Sequence, residues 1–178
     1  MTNVTTNPTN ELTLNTLRRL ALMQHLGEDF FILDGIAYEG DINEATQDFD
    51  TANQEDDSLT FADYCADNFT EVDELEEDDY SIDYLVLTDS EADEKWEESL
   101  DSYIEECITP EIDKLSEGAG NLSYYITFDE ETWKRDARMD GRGHSLSSYD
   151  GNENEETVNA PCKDTCEDST TFYIYRTN

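Results

Sequence analysis

Apolar positions along this chain switch period several times, and each switch marks an element. Leu14, Leu17, Leu20, Ala21 and Met23 recur at roughly helical spacing, and Gly27 follows as a left-handed stop. In "FFILDGIAYEG" the period changes. Two apolar runs flank Asp34-Gly35, the dipeptide favoured in a two-residue type I′ hairpin. "INEATQDFDTANQ" is weakly helical. In "SLTFADYCADNF", Phe61, Tyr64, Cys65 and Phe69 fall on one helical face, with Ser58 or Thr60 as N-cap. "TEVDELEEDDY" reads as an acidic loop or a frayed helix end.

"IDYLVL" (82–87) is rich in β-formers and reads as a strand. Thr88-Asp89-Ser90-Glu91 then matches the capping box, in which residue and backbone donors satisfy each other at a helix start. The predicted helix spans 89–107. Ala92, Trp96, Leu100, Tyr103, Ile104 and Cys107 form one apolar stripe on it, and acids cover the other faces. Pro110 fits the first position of a further short helix, which "EGAGN" ends. "LSYYITF" reads as a strand, and Asp129 caps a helix through Trp133 and Ala137. Residues 139–156 read as a glycine-rich loop with a short strand, in which Gly141 and Gly143 permit positive φ. "TFYIYR" is the last strand, with Phe172 and Ile174 on one side and Tyr173 and Tyr175 on the other. The expectation is an α+β fold: a small, largely antiparallel sheet packed by several helices under a highly acidic surface. Residues 1–10 read as a flexible polar tail, and residues 11–178 as one domain with a sub-boundary near 72–81.

Charge changes this picture most. The 178 residues carry 46 acids against 10 bases, a net charge of −36, yet 36% are hydrophobic, including ten Tyr, seven Phe and two Trp. Acidic disordered chains are poor in aromatics, so the composition implies a folded domain with an abnormal surface. The charge is uneven: residues 1–27 sum to +1, residues 28–106 to −29 and residues 107–178 to −8. Such self-repulsion must be offset by a good core, high salt or a cationic partner. Nucleic acid and anionic membranes are expected to be repelled. No apolar run reaches the ~18 residues of a membrane span, and "MTNVTTNPTN" lacks the features of a signal peptide.

Candidate chemistry is sparse. Cys65, Cys107, Cys162 and Cys166 read as reduced thiols, and only Cys162 and Cys166 lie close in sequence. With His25 and His144 the only histidines, a zinc site is not expected. His144 lies near Ser145, Ser147, Ser148 and Asp150, without the nucleophile-elbow motif of a serine hydrolase. Asp150, Asn152 and Asn154 begin a calcium-loop pattern that fails at Glu155 and Pro161, where Gly and Glu are required. No catalytic residue, metal or cofactor is expected.

Three patches, "DYLVLTDSEADEKWEESLDSYIEEC", "WKRDARMDGRGHSLSSYDGNENE" and "FYIYRTN", resemble a family of uncharacterised tailed-phage proteins over about residues 83–178. The resemblance implies a phage origin and action in the cytoplasm of an infected bacterial host. It carries over no functional residues, and "APCKDTCEDS" departs from it.

A predicted helix over 89–107 is about 27 Å long and holds nine acids, close to one charge per ~3 Å, near the density of a single DNA strand. A duplex as long as a domain of this size is wide, about 40 Å, carries ~24 charges. The charge therefore suffices for DNA mimicry. The expected function is that of a DNA mimic that binds and inhibits a basic nucleic-acid-binding host protein, such as a restriction, CRISPR, nucleoid or transcription protein. The expected contact residues are Glu74, Glu76, Glu77, Asp78, Asp79, Asp89, Asp93, Glu94, Glu97, Glu98, Asp101 and Glu105. Two alternatives stand beside it: salt adaptation with an unrelated function, and a phage enzyme or regulator with an unrecognised site.

Overall fold

The structure, a computed structural model, describes residues 12–53, 59–75, 83–147, 154–160 and 170–178. The fold is α+β, with two small antiparallel sheets rather than one. Contacts group the chain into two compact units. The first comprises Met1–Ser81 and Val158–Phe172, the second Ile82–Thr157 and Tyr173–Asn178.

In the first unit, helix α1 (Leu14–Leu26) starts at Thr13, whose hydroxyl accepts from the Thr16 backbone N–H, and stops at Gly27 with φ 76°. Strands β1 (Phe30–Leu33) and β2 (Ile36–Glu39) form the first sheet, in the register Phe30↔Glu39 to Leu33↔Ile36. Asp34 and Gly35 both have positive φ, 51° and 84°, as a type I′ turn requires. Helices α2 (Ile42–Ala52) and α3 (Phe61–Asn68) follow, capped by Asp41 and Thr60. Phe69 belongs to the α3 cap rather than to the helix.

The hairpin is covered on both faces, which explains its unbroken apolar runs. Phe30, Ile32 and Ala37 pack with Leu20, Met23 and Val72. Phe31, Leu33, Ile36 and Tyr38 pack with Ala45, Cys65, Phe61 and Phe69. Residues 72–75 are therefore not plain loop. Val72 is fully buried within a 3-10 turn, Val72–Glu74, and α1 holds that turn down. Thr16 Oγ1 donates to the Asp73 carboxylate at 2.5 Å, and the Arg19 guanidinium donates to the Val72 carbonyl at 2.6 Å. Arg19 thus anchors α1 through a backbone oxygen.

In the second unit, strand β3 (Tyr84–Leu87) pairs antiparallel with residues 173–176 of β5 (Thr171–Arg176), from Tyr84↔Arg176 to Leu87↔Tyr173. The strand order of this sheet is β3-β5-β4, where β4 is Glu156–Asn159. Leu85, Leu87, Tyr173 and Tyr175 share one sheet face. There they meet Ala92 and Trp96 of helix α4 (Asp89–Tyr103) and Leu146 of helix α7 (Arg142–Leu146). The capping box at Thr88 and Glu91 is formed in both directions. Helix α6 (Glu130–Ala137) is capped by Asp129.

Several elements differ from those the sequence predicts. The helix predicted over 89–107 does not end before Pro110. A π turn (Ile104–Ile108) carries it into α5 (Thr109–Ala119) with no break, and the Thr109 N–H donates to the Ile104 carbonyl five residues back. The wider turn falls where proline supplies no donor, so the backbone stays helical without a cap. "LSYYITF" is not a strand. Gly120–Tyr125 is a 3-10 turn with Leu122, Tyr124 and Tyr125 exposed. Among the described residues no strand lies beside it to pair with, and pairing partners decide strand formation. Part of the predicted loop 139–156 is ordered as a 3-10 turn (Arg138–Asp140), α7 and β4. Gly141 has φ 85°, but Gly143 is helical and buried.

Candidate functional site

Helix α4 carries six of the twelve acids singled out in the sequence, Glu105 follows in the π turn, and the neighbours of this segment sort these acids into two sets. Asp89, Asp93, Glu97 and Asp101 are each four residues apart and so form one ridge along the helix. Three bases with the same spacing, Lys134, Arg138 and Arg142, meet this ridge in reverse order. Arg142 Nη1 donates to Asp89 Oδ1 at 2.9 Å and to Asp93 Oδ1 at 3.0 Å. Arg138 clasps Glu97 with two hydrogen bonds, at 2.8 and 2.7 Å. Lys134 bonds to Asp101 and, at 3.1 Å, to Glu130 of its own helix. The result is an antiparallel charge zipper within the second unit.

Arg142 is the most enclosed of these bases, with 12% of its side chain exposed. Besides Asp89 and Asp93 it binds Glu155, through Nε at 2.8 Å and Nη2 at 3.2 Å, and its guanidinium lies 4.3 Å from the centroid of the Tyr173 ring. Glu155 also accepts from the buried Tyr175 hydroxyl. Burial opposes the Arg142 charge, but the bonds to Glu155 and Asp89 outweigh it and hold its pKa above the usual value. Burial, reinforced by the bond to Glu155, raises the Tyr175 phenol. The hydrogen bond from Arg142 lowers the Asp89 carboxyl, and that from Arg138 lowers Glu97.

The second set faces away. Glu94, Glu98 and Glu105 are exposed and, among the described residues, take part in no ion pair. Their spacing of four and seven residues places them on one face of the helical segment, and Glu94 and Glu105 are ~16 Å apart along its axis. Glu74 is exposed in the 3-10 turn of the first unit. Glu76, Glu77, Asp78 and Asp79 lie outside the described residues. Of the predicted contact set, the structure thus gathers Glu94, Glu98 and Glu105 on an open face, while Asp89, Asp93, Glu97 and Asp101 have internal partners.

The far end of the α4 stripe is not core. Ala92, Leu100 and Ile104 are buried, but Tyr103 is 53% exposed and Cys107 is exposed. They line a cleft of about 690 Å³ with Glu106, Trp133, Asp140 and His144 among its other walls. The Tyr103 and Trp133 rings stack with centroids 5.6 Å apart and planes 6° from parallel. Ser145 also lines the cleft beside His144, whereas Ser147 donates to the Asn154 carbonyl. Ser148, Asp150, Asn152, Cys162 and Cys166 lie outside the described residues. Among the described residues, no group of three or more His, Cys, Asp or Glu side chains is placed to hold a metal ion. No helix among them is long and apolar enough to cross a membrane.

Sequence reasoning missed Lys134, Arg138 and Arg142. Their four-residue spacing was a signal, but Gly141 interrupts the helical reading before Arg142, and an ion pair 33 to 53 residues apart needs the fold to reveal it. Comparison of the chain with protein-family models, curated proteins and solved structures gives no match.

Proposed function

We propose that this is a phage-encoded acidic protein that acts as a DNA mimic in the cytoplasm of the infected bacterial host. It would bind and inhibit a basic nucleic-acid-binding protein of restriction, CRISPR defence, the nucleoid or transcription. The observation that carries the reading is the division of α4. The zipper fastens one ridge of the helix, and Glu94, Glu98 and Glu105 face outward from it without internal cations among the described residues. Carboxylates on a fastened helix keep their spacing, so a partner does not have to order them on binding. The zipper also lowers the charge this helix presents by itself. The remaining net charge supplies the field that steers a basic partner.

The test is capture from bacterial lysate on the immobilised full chain, followed by elution with duplex DNA. DNA-binding proteins should elute with the duplex at moderate salt, and the captured protein should regain its DNA when this chain is competed away. Recovery of no nucleic-acid-binding protein would remove the reading. Charge reversal at Glu94, Glu98 and Glu105 should weaken that association and flatten its dependence on salt by up to roughly one logarithmic slope unit per lost contact.

A further inference from the structure

The cleft between α4, its π turn, α6 and α7 combines an aromatic wall with acidic side chains. One wall is aromatic: Tyr103 stacked on Trp133. The charged lining is carboxylate: Glu106, Asp136 and Asp140, with no lysine or arginine among the lining residues. Three bases of the adjoining elements are engaged elsewhere. Lys134 binds Asp101 and Glu130, Arg138 binds Glu97, and Arg142 binds Asp89, Asp93 and Glu155. Among the described residues only Arg135 forms an ion pair with a cleft carboxylate, an exposed one with its neighbour Asp136 at 2.9 Å. Glu106 and Asp140 have no ion-pair partner among the described residues. The volume, about 690 Å³, falls within the range of sites that enclose a small ligand or a side chain with its flanking backbone.

We infer that this cleft receives an arginine side chain of the basic partner, with the guanidinium against the Tyr103 and Trp133 rings and hydrogen-bonded to Glu106 and Asp140. An arginine fits this lining better than a lysine. Its planar cation stacks on aromatic faces and its donor fork matches carboxylates, whereas an ammonium is a compact, strongly hydrated charge. The inference rests on the proposed basic partner and names how that partner is gripped. Glu94, Glu98 and Glu105 then supply attraction, and the cleft supplies the specific anchor.

The full chain is titrated with hexa-arginine, hexa-lysine and hexa-citrulline peptides, followed by calorimetry and tryptophan fluorescence. Hexa-arginine should bind and change the fluorescence, with hexa-lysine at least ~5-fold weaker and hexa-citrulline silent. Glu106→Gln with Asp140→Asn should weaken hexa-arginine by about 10-fold, while Glu94→Gln with Glu98→Gln, removing the same charge, should weaken it by less than ~2-fold. All four positions are exposed or at the cleft edge, and circular dichroism confirms that each variant is folded. Equal losses for the two pairs, or equal binding of arginine and lysine peptides, would overturn the cleft as an arginine site. If the cleft pair alone weakens hexa-arginine but duplex DNA elutes nothing from the lysate column, the arginine site stands and the DNA-mimic reading fails. If duplex elution succeeds and the cleft pair is inert, the mimic stands and the arginine site falls.

Discussion

Arg142 sits among three carboxylates and two tyrosines, so its removal leaves negative groups facing one another. Asp89, Asp93 and Glu155 would lose their shared cation, and the Tyr173 face would lose its partner. A fully buried pair broken in this way costs 3–5 kcal/mol, and the exposure of Asp89 and Asp93 lowers the expected figure for Arg142→Gln to about 2 kcal/mol. Arg135→Gln, which removes a pair exposed on both sides, should change stability by no more than about 0.5 kcal/mol. Urea unfolding of the two variants checks the contrast. Similar losses in both would show that Arg142 is not a keystone of the zipper. Arginine at position 142 was plain in the sequence, but its role was not. Its partners come from α4 and from residue 155, and nothing local announces them.

At the scale of elements, local signals were read well where they were self-contained. The Asp34-Gly35 turn, the stop at Gly27 and the Thr88–Glu91 capping box depend on residues within a few positions of each other, and all three are formed. Thr88→Ala should cost about 1 kcal/mol, because one side-chain acceptor then leaves the first turn of α4 uncapped. Gly35→Ala should cost at least about 1 kcal/mol, since φ at 84° is strained for a residue with a Cβ. Thermal melts of both variants provide the check, and an unchanged melting temperature in either would contradict its assigned role. "LSYYITF" failed for the opposite reason. A strand is defined by a neighbour, and its apolar alternation could not say that none would pair with it. The boundary at Pro110 failed because proline halts a helix only if the backbone must supply its missing N–H. Here the N–H of the preceding residue, Thr109, donates to the Ile104 carbonyl, and the helix runs on without a donor at Pro110.

For the whole molecule, the net charge of −36 and the zipper act in opposite directions as pH falls. Asp89 and Glu97 have folded pKa values below their usual ones, so the unfolded chain takes up protons first. Their contribution is complete above the unfolded carboxylate range of about 4 and is lost as pH falls through the lower folded values. Acidification from neutrality meanwhile reduces the net charge towards zero near the isoelectric point of about 4.1, which relieves self-repulsion. Stability should therefore rise from pH 7 to about pH 5 and fall below about pH 4. A stability curve that declines steadily from pH 7 would show that repulsion is a minor term. Added salt should raise the melting temperature at pH 7, because the screening length falls from ~30 Å at 0.01 M to ~3 Å at 1 M. The helical signal should nevertheless persist at 0.01 M, where a protein built for high salt would unfold, so the same titration separates the mimic from salt adaptation.

The α+β class, the hairpin, the Gly27 stop of α1, the capping box of α4 and the acidic character of the chain are legible in the residues alone. These follow from turn chemistry, periodicity and composition, which act over a few residues or over the chain as a sum. Which acids are open to a partner emerges only once the helices have packed. Asp93 and Glu94 are neighbours of the same chemical type on one helix, yet Arg142 holds the first and the second faces outward. The difference arises because a helix turns 100° per residue and the bases of α6 and α7 lie along one side of it. That placement is a matter of packing, and no property of either residue encodes it.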